Sequence, residues 1–302
     1  MKETLIFRGA SGLNTAANPL RLPYDAETGI MDLSAAVNVV IDDSGMVSRR
    51  DGFSEIDAQP WHSLFCDGGE CVGVRDGALC VIAEDLSVTE IRPGVTGKLS
   101  YAQVNDDIFY VSPSCYGLVR GGQHVDWTAA SYVGPDTNRQ FSGPFPADHI
   151  AFHAGRIWLA TDGFMVCSEP FGWSWFDLHG CLMPMDSRVR MMKPVGDGMY
   201  VSTDTKTYWL SGKKPEDFNL SVVDAVPALE YSASVGVLDA LEIGLDQPGE
   251  VGYWLTGKGP VMGTGTGTVI RLTKDKVIFP ETAPVGASLL RGYNLVYTMG
   301  VQ

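Results

Sequence analysis

The sequence has no uninterrupted run of about eighteen apolar residues, the minimum for a candidate membrane-spanning helix. Its opening segment, MKETLIFRGASG, also lacks an apolar run of the length found in signal peptides. We therefore expect a chain that is made in the cytosol, stays soluble and does not span a membrane.

Basic residues are too few for a surface that binds nucleic acid. The chain has 22 lysines and arginines against 36 acidic residues, and its formal net charge is −14. A protein that grips DNA through its phosphates needs a basic stripe that releases counterions, so we expect no sequence-specific nucleic-acid binding. The acidic surface fits two interpretations: simple solubility through self-repulsion, or a wall to which passing DNA does not adhere.

The spacing of cysteine and histidine gives no zinc motif. His149 and His153 stand four residues apart, but the segment HIAFH lacks the glutamate of HExxH and alternates like a strand. We expect satisfied sheet histidines and no metal. The six cysteines are Cys66, Cys71, Cys80, Cys115, Cys167 and Cys181. Buried free thiols are the favoured interpretation, and a hairpin disulfide between Cys66 and Cys71 stays open.

Catalytic motifs are missing as well. There is no G-x-S-x-G elbow and no Asp box of the propeller glycosidases. The alternating glycines Gly263, Gly265 and Gly267 are not followed by the lysine and hydroxyl of a phosphate-binding loop. We expect no catalytic residue, no cofactor and no enzymatic activity, and an unrecognised hydrolase ranks third among the functional hypotheses.

What the sequence does contain is a repeated pattern of strands and turns. The pattern occurs twice in residues 149–212. In each copy an apolar run is followed by a tight turn, at 154–155 or 196–198, then by an alternating run and by another strand. Alternation over four to six residues between Gly and Asp is typical of antiparallel strands. Recurrence at roughly forty residues favours a β-propeller, because one such unit does not bury its own faces.

The repeats predict an all-β, single β-propeller of about six four-stranded blades. Second strands are expected near Cys71, Ile108, Ile157 and Met199, and a fifth unit follows residue 237. Two strands remain at residues 37–50 and two at the carboxyl end, so we expect them to share one closing blade. The expected domains are 1–35, an N-terminal strand at 5–8 with a docking arm, and 36–302, the propeller.

The opening of the sequence resembles a family of viral proteins. GLN, NPLRLP and the pattern N-V-x-I-D-x-x-G-x-x-x-R-R-x-G at residues 38–52 are similar to the start of tail-nozzle, tail-tubular and portal-stabilisation proteins of tailed bacteriophages. The later segments SEP, PVGDGMYV, LSGKKP, WLTGKG and GTVIRLT resemble phage virion β-propellers. The resemblance implies a non-enzymatic virion protein of the tail or head-to-tail junction, which acts in assembly and in DNA retention or passage.

The same resemblance implies the partners and the location. We expect the chain in an oligomeric ring of the virion, docked on portal, adaptor or tail-ring proteins and on neighbouring copies of itself. The arm at residues 10–31 is rich in Gly, Asn and Pro, and is the candidate for gripping a neighbour.

Seven residues are candidates for partner binding: Asn14, Asn18, Arg21, Arg49, Arg50, Trp173 and Trp175. Arg49 and Arg50 end a hairpin, where a solvated strand end is the simpler interpretation. Trp173 and Trp175 alternate on one strand face, which fits core packing, a subunit contact or stacking on a sugar. The alternative function is therefore a host-receptor or glycan-binding propeller of the tail.

Overall fold

The computed structural model describes residues 8–52, 54–66, 70–132, 139–238, 249–273, 276–279, 282–291 and 294–301. Within these ranges the chain forms strands and turns, with two 3₁₀ segments, Pro19–Arg21 and Pro215–Asp217, and no α-helix. Four-stranded antiparallel sheets follow one another along the chain, and the first strands of neighbouring sheets lie side by side. This is a β-propeller, so the predicted fold class is confirmed.

The N-terminal region stands outside the blades. Its strands are β1 (Gly9–Leu13), β2 (Ile30–Leu33), β3 (Val39–Ile41) and β4 (Val47–Arg49). β1 and β2 pair in parallel, and β3 and β4 form an antiparallel hairpin. Of the strand expected at 5–8, residues 5–7 lie outside the described residues. The hairpin turn depends on Gly45, whose φ of +83° favours glycine and whose carbonyl accepts a 2.7 Å hydrogen bond from the Ala10 amide.

Blades 1 and 2 each contain four strands that pair in sequence order. Blade 1 comprises β5 (Trp61–Cys66), β6 (Cys71–Arg75), β7 (Ala78–Ile82) and β8 (Val88–Arg92). Blade 2 comprises β9 (Ser100–Val104), β10 (Asp107–Val111), β11 (Tyr116–Arg120) and β12 (Gln123–Val125). The second strands begin within one residue of the predicted positions at Cys71 and Ile108.

Blade 3 is the largest sheet, with six strands. They are β13 (Phe141–Ser142), β14 (His149–His153), β15 (Arg156–Thr161), β16 (Phe164–Glu169), β17 (Gly172–Asp177) and β18 (Leu182–Pro184). β13 pairs with β17 and β18 with β16, so short strands from the flanking segments extend the four-stranded unit. Ala154 and Gly155 take φ of +51° and +72° between β14 and β15, the left-handed backbone that tight hairpin turns need.

Blades 4 and 5 return to four strands each. Blade 4 comprises β19 (Val189–Val195), β20 (Gly198–Thr203), β21 (Thr207–Ser211) and β22 (Asn219–Asp224). Blade 5 comprises β23 (Ser234–Leu238), β24 (Gly249–Thr256), β25 (Gly259–Thr264) and β26 (Val269–Arg271). A last hairpin joins β27 (Thr282–Arg291) to β28 (Asn294–Val301).

The hydrophobic core lies between consecutive blades. One cluster joins blades 2 and 3 and includes Phe109, Leu159 and Phe176. Another joins blades 3 and 4 around Trp158, which is fully buried, and further clusters join blades 1 to 2 and 4 to 5. Burying each of these large side chains stabilises the fold by about 1.5–3 kcal/mol, so contacts between blades stabilise the propeller.

The prediction that the first and last strands share one closing blade is wrong. The structure has five blades, and the two intended halves of a sixth, β3–β4 and β27–β28, are separate two-stranded sheets. β27 lies beside β23 and β24 of blade 5, where a next blade begins. The β3–β4 hairpin packs against β1 instead, and its strands have no buried side chain to contribute to a blade core.

The expectation of free thiols is also wrong for four of the six cysteines. Cys66 pairs with Cys71 across the β5–β6 turn, and Cys167 pairs with Cys181, which follows β17. Cys80 and Cys115 are free. The first pair is the hairpin disulfide that the sequence left open. The second has a separation of 14 residues and a Cα distance of 5.5 Å, a spacing that only the folding of blade 3 creates.

Candidate functional site

The arm is folded around a buried carboxylate, Asp32, which is 1% exposed. Its Oδ2 accepts a 2.7 Å hydrogen bond from Nδ2 of Asn14, and its Oδ1 accepts one from the Ser11 hydroxyl. The Asn14 amide and the Ser11 hydroxyl hold the pKa of Asp32 below its usual range. Asn14 also accepts a hydrogen bond from the Ala17 amide at 2.9 Å. Asn14 is therefore a buried organiser of the arm and is not placed to touch a partner.

The arm holds the segment that leads into the C-terminal hairpin. The amides of Thr15 and Ala16 both donate to the carbonyl of Lys276, at 2.9 and 3.2 Å. The Ile278 amide donates to the Thr15 hydroxyl at 2.8 Å, and Nζ of Lys276 lies 3.1 Å from Oδ1 of Asp32. We call this set of contacts the arm clasp. It brings the N-terminal arm and the segment after blade 5 together, although the two share no sheet among the described strands.

Asn18 and Arg21 lie at the outer tip of the arm. Asn18 caps the 3₁₀ turn Pro19–Arg21, since its Oδ1 accepts from the Leu20 amide at 2.9 Å. The cap fixes a turn in which Leu20 is 92% exposed. The next residue, Arg21, is also exposed. The tip thus combines an apolar side chain with a cation on a defined turn.

Arg49 and Arg50 are exposed at the end of the β3–β4 hairpin. Nη2 of Arg50 donates to Oδ1 of Asn38 at 3.2 Å, and its amide donates to the Asn38 carbonyl. Asn38 takes a φ of +58° there. Arg50 thus stabilises the hairpin end, and Arg49, the last residue of β4, is exposed beside it.

Trp173 is part of the core between blades 2 and 3. Its ring packs edge-on against Phe109 and Phe152, with centroids 6.3 and 6.2 Å apart. Its Nε1 donates to the Gly155 carbonyl at 3.3 Å. These contacts match the core-packing interpretation of the sequence.

Trp175 lies against the link between blades 2 and 3. Its Nε1 donates to the Ala130 carbonyl at 2.8 Å, and its ring meets that of Tyr132 edge-on at 5.5 Å. Both tryptophans therefore use their polar atom within the chain, and the structure places them in blade 3, apart from the arm residues in the fold.

A second constellation, which we call the mouth cluster, is formed by residues that precede the first strands of blades 2 to 5. Its members are Lys98, Asp148, His149, Arg188, Glu230 and Tyr231. Because the first strands of the blades lie side by side, side chains just before them converge. The sequence analysis missed this cluster. The available signal was the recurrence of a charged residue just before each first strand.

Glu230 is the centre of the mouth cluster. Its Oε1 lies 2.7 Å from Nη2 of Arg188 and 3.5 Å from Nε2 of His149. Burial alone raises the pKa of Glu230, but His149 and Arg188 outweigh it, so the pKa is lowered. Arg188 also reaches Asp148 at 3.4 Å. The buried carboxylate is thus held ionised by cations and donors from two other blades.

Tyr231 and Lys98 form the open side of the mouth cluster. Nζ of Lys98 lies 4.9 Å from the centre of the Tyr231 ring, and Lys98 is exposed. Burial raises the pKa of Tyr231, so its phenol stays protonated at neutral pH. The cluster can hold blades together and present donors to solvent. Over the described ranges, no three His, Cys, Asp or Glu side chains are grouped as metal ligands.

The two strand histidines are buried, but they are not satisfied as the sequence analysis expected. The Nε2 atoms of His149 and His153 have no hydrogen-bond partner among the described residues. Burial lowers the pKa of His153. His149 has Glu230 at 3.5 Å, outside ordinary hydrogen-bond distance.

Comparisons with known proteins show the fold alone. No family model and no curated protein matches the sequence. Among solved structures, the chain is similar to the extracellular domain of a putative hybrid two-component system from B. thetaiotaomicron, with 10% identity and a TM-score of 0.51. That match covers 84% of this chain and 33% of the other, so the chain spans about a third of its length.

Two more distant similarities are to other propellers. A gluconolactonase from Xanthomonas campestris matches with 12% identity and a TM-score of 0.43, over 76% of this chain and 79% of the other. The Neurospora crassa Pan2 WD40 domain matches with 11% identity and a TM-score of 0.41, over 69% and 62%. The part of the chain that the structure describes contains no helix long and apolar enough to cross a membrane.

Proposed function

We propose that the chain is a non-enzymatic structural propeller of a tailed-phage virion, located in the tail or at the head-to-tail junction. In this role it acts as a nozzle, adaptor or stabilisation protein in assembly and in DNA retention or passage. Its partners are portal, adaptor or tail-ring proteins and neighbouring copies of itself. The resemblance of residues 38–52 to phage tail and portal-stabilisation proteins supports the family.

The observation that carries the proposal is the concentration of exposed apolar side chains near the N-terminus. Among the described residues, seven of the sixteen exposed large hydrophobic side chains lie between Leu20 and Leu64. Leu20 and Tyr24 belong to the arm, and the two buried side chains that hold the arm, Asn14 and Asp32, are both polar. A segment fixed by polar contacts that shows its apolar side chains to solvent is suited to docking on another subunit.

The charge of the chain supports the same role. With a formal net charge of −14, the chain repels DNA rather than binding it. A rigid propeller docked through one arm can then form part of a ring that retains DNA or lets it pass. Repetition of a single docking contact around an axis closes such a ring without additional interfaces.

The test is incorporation into virus particles. Particles are assembled from the virus that encodes the chain, with the wild-type or the Leu20→Glu variant supplied in trans, and the chain is quantified in purified particles by mass spectrometry. We expect at least about a tenfold loss of incorporation, because the variant places a charge in a desolvated contact.

A matched control is Leu86→Glu, which places the same charge on an exposed apolar position of blade 1 outside the arm. This variant is expected to incorporate like the wild type. Wild-type chain missing from particles would overturn the proposal, and equal incorporation of Leu20→Glu and the wild type would overturn the role of the arm.

The receptor-binding alternative predicts another outcome. A host-receptor or glycan-binding propeller adsorbs to cells, and Trp173→Ala or Trp175→Ala abolishes adsorption without changing incorporation. Because both indole N–H groups are bonded within the chain, we favour the structural role.

A further inference from the structure

A groove of about 560 Å³ lies between blades 3 and 4, apart from both the arm and the mouth cluster. On the blade 3 side it is lined by Ala154, Arg156 and Pro170, and on the blade 4 side by Lys213 and Lys214. Its size is within the usual range of small-molecule sites. Because turns of two rigid blades form its walls, the groove is a fixed feature of the fold.

Two of the three acidic side chains that line the groove, Glu169 and Asp177, are paired with arginines. Arg139 forms two hydrogen bonds with Glu169, at 3.0 and 2.6 Å, and a third with Asp177. Nη1 of Arg156 lies 3.9 Å from Oε1 of Glu169. Two arginines thus balance two carboxylates. Glu216 lines the opposite wall and offsets one of the two lysines there, so the groove keeps an excess of one positive charge.

Lys213 and Lys214 supply this excess positive charge. Lys213 reaches only Asp197, at 3.6 Å, with both side chains largely exposed, so this pair contributes little. No ion pair of the exposed Lys214 side chain is found among the described residues. The lysine wall is therefore open to an anion from solution, in a protein that is strongly acidic elsewhere.

Arg156 lines the groove and is a largely buried cation with one unsatisfied donor. The residue is 8% exposed, its Nη1 donates to the Ser168 carbonyl at 2.7 Å, and its Nε has no partner among the described residues. Burial and the neighbouring Arg139 lower the pKa of Arg156. A buried cation with a free donor is costly, and an anion in the groove would reduce that cost.

Phe171 adds an exposed aromatic ring at the rim. It follows Pro170 of the groove wall, is 83% exposed and takes a φ of +58°. Phe171 stands in the tight turn between β16 and β17, where a hairpin needs a residue at positive φ, so the turn holds its side chain outside the strands. The Phe171 amide donates to the Gly155 carbonyl at 3.2 Å, so the backbone of this turn is held against the turn that contains Ala154 of the groove wall.

We propose that this groove binds an acidic sugar, with its carboxylate between Arg156 and the two lysines and its pyranose ring stacked on Phe171. The cations supply charge-assisted hydrogen bonds, and the aromatic ring packs on the apolar face of a sugar. An acidic peptide backbone would use the cations but offers no flat apolar ring face to pack on Phe171. This inference goes beyond the structural role and does not depend on it.

The experiment measures binding to the purified chain by ligand-observed NMR and calorimetry at low ionic strength. The probes are N-acetylneuraminic acid and trigalacturonate, with galactose and neutral galactotriose as matched uncharged sugars and hexaglutamate as the acidic peptide. We expect saturable binding of at least one acidic sugar, at least about tenfold tighter than its neutral counterpart and than hexaglutamate, and weaker in salt.

Two variants test the walls separately. Phe171→Gly removes the ring and relieves the positive φ, so it is expected to fold and to weaken binding of the acidic sugar at least about fivefold. The double variant Lys213→Ala/Lys214→Ala is expected to weaken it by at least as much. The matched controls are Leu86→Gly, another exposed apolar residue at a φ of +65°, and Lys258→Ala, another exposed lysine.

Three results would overturn the inference. The first is that the wild type shows no saturable binding of either acidic sugar up to about 10 mM. The second is that hexaglutamate binds as tightly as the acidic sugars. The third is that the control variants lose as much affinity for the acidic sugar as the groove variants do. Because the assay uses the isolated chain, its failure is distinct from a failure to find the chain in virus particles.

Discussion

Nζ of Lys276 lies 3.1 Å from Oδ1 of Asp32, and the two residues are 244 positions apart in the sequence. Around this pair, the amides of Thr15 and Ala16 bond the Lys276 carbonyl. The N-terminal arm and the segment after blade 5 therefore meet through the arm clasp instead of a shared blade. The residues proposed to dock on a partner are thus tied to the C-terminal side of the same chain.

Asp32→Ala is expected to loosen the arm clasp. The substitution removes a buried acceptor of three side-chain donors, and we expect a local loss of about 2 kcal/mol. Amide hydrogen exchange at Thr15 and Ala16 should then speed up roughly thirtyfold, while exchange in blade 3 stays unchanged. Asp43→Ala, an exposed carboxylate in the β3–β4 turn, is the control and should change neither. Unaltered exchange in Asp32→Ala would show that the clasp does not depend on this carboxylate.

Glu230→Gln is expected to destabilise the chain at neutral pH by about 1–2 kcal/mol, because it removes the charge that Arg188 faces. The pKa of Glu230 is lowered in the folded chain. Its contribution is therefore fully present above the unfolded pKa of about 4.3 and is lost as the pH falls through the lower folded pKa. Urea unfolding from pH 7 down to about 3 should show the gap between wild type and variant shrink only below about 4.3. A gap independent of pH would contradict this account.

Alkylation provides a direct count of the disulfides. The structure pairs Cys66 with Cys71 and Cys167 with Cys181, and leaves Cys80 and Cys115 free. Mass spectrometry of denatured, unreduced chain treated with iodoacetamide should therefore find two modified cysteines, and six after reduction. Modification of all six without reduction would refute the pairing.

The paired Cys167–Cys181 bridge should also stabilise the fold. It closes a loop with a separation of 14 residues, for which the chain-entropy model gives about 3 kcal/mol. Cys167→Ser/Cys181→Ser is expected to lose about this much in urea unfolding. Cys115→Ser, at a free cysteine, should lower the free energy of unfolding much less. An equal decrease in the two variants would show that the bridge adds no stability.

Trp173→Ala should reduce stability more than Trp175→Ala. Trp173 packs against Phe109 and Phe152 in the core, so its removal should cost about 3 kcal/mol. Trp175 contacts the Tyr132 ring and the Ala130 carbonyl in the link, and about 1 kcal/mol is expected. Urea denaturation measures both, and the reverse order would mean that Trp173 is not a core residue.

Much of the blade structure could be predicted because it depends on local patterns. The β6 strand begins at the predicted Cys71, and the turns at Ala154–Gly155 and Gly45 have the positive φ that their sequences suggested. Alternation and turn chemistry act over a few residues, so they are visible in a sequence.

What could not be predicted depends on contacts between distant residues. Counting strands placed residues 37–50 in a closing blade, but nothing local shows that Gly45 accepts a hydrogen bond from Ala10 and holds the hairpin against β1. The Cys167–Cys181 pair and the mouth cluster also arise only when turns and blades come together. The seven candidate residues were taken from the arm, a hairpin end and an aromatic cluster, and the sequence does not show that Asn14 is buried by its hydrogen bond to Asp32.

The most direct measurement is electron cryomicroscopy of intact particles of the virus that encodes the chain. The account predicts several copies of the five-bladed propeller around the tail axis or the head-to-tail junction, with Leu20 and Arg21 at the contact between each copy and its neighbour. Particles that contain no copy, or copies whose arm tips all face solvent, would contradict it.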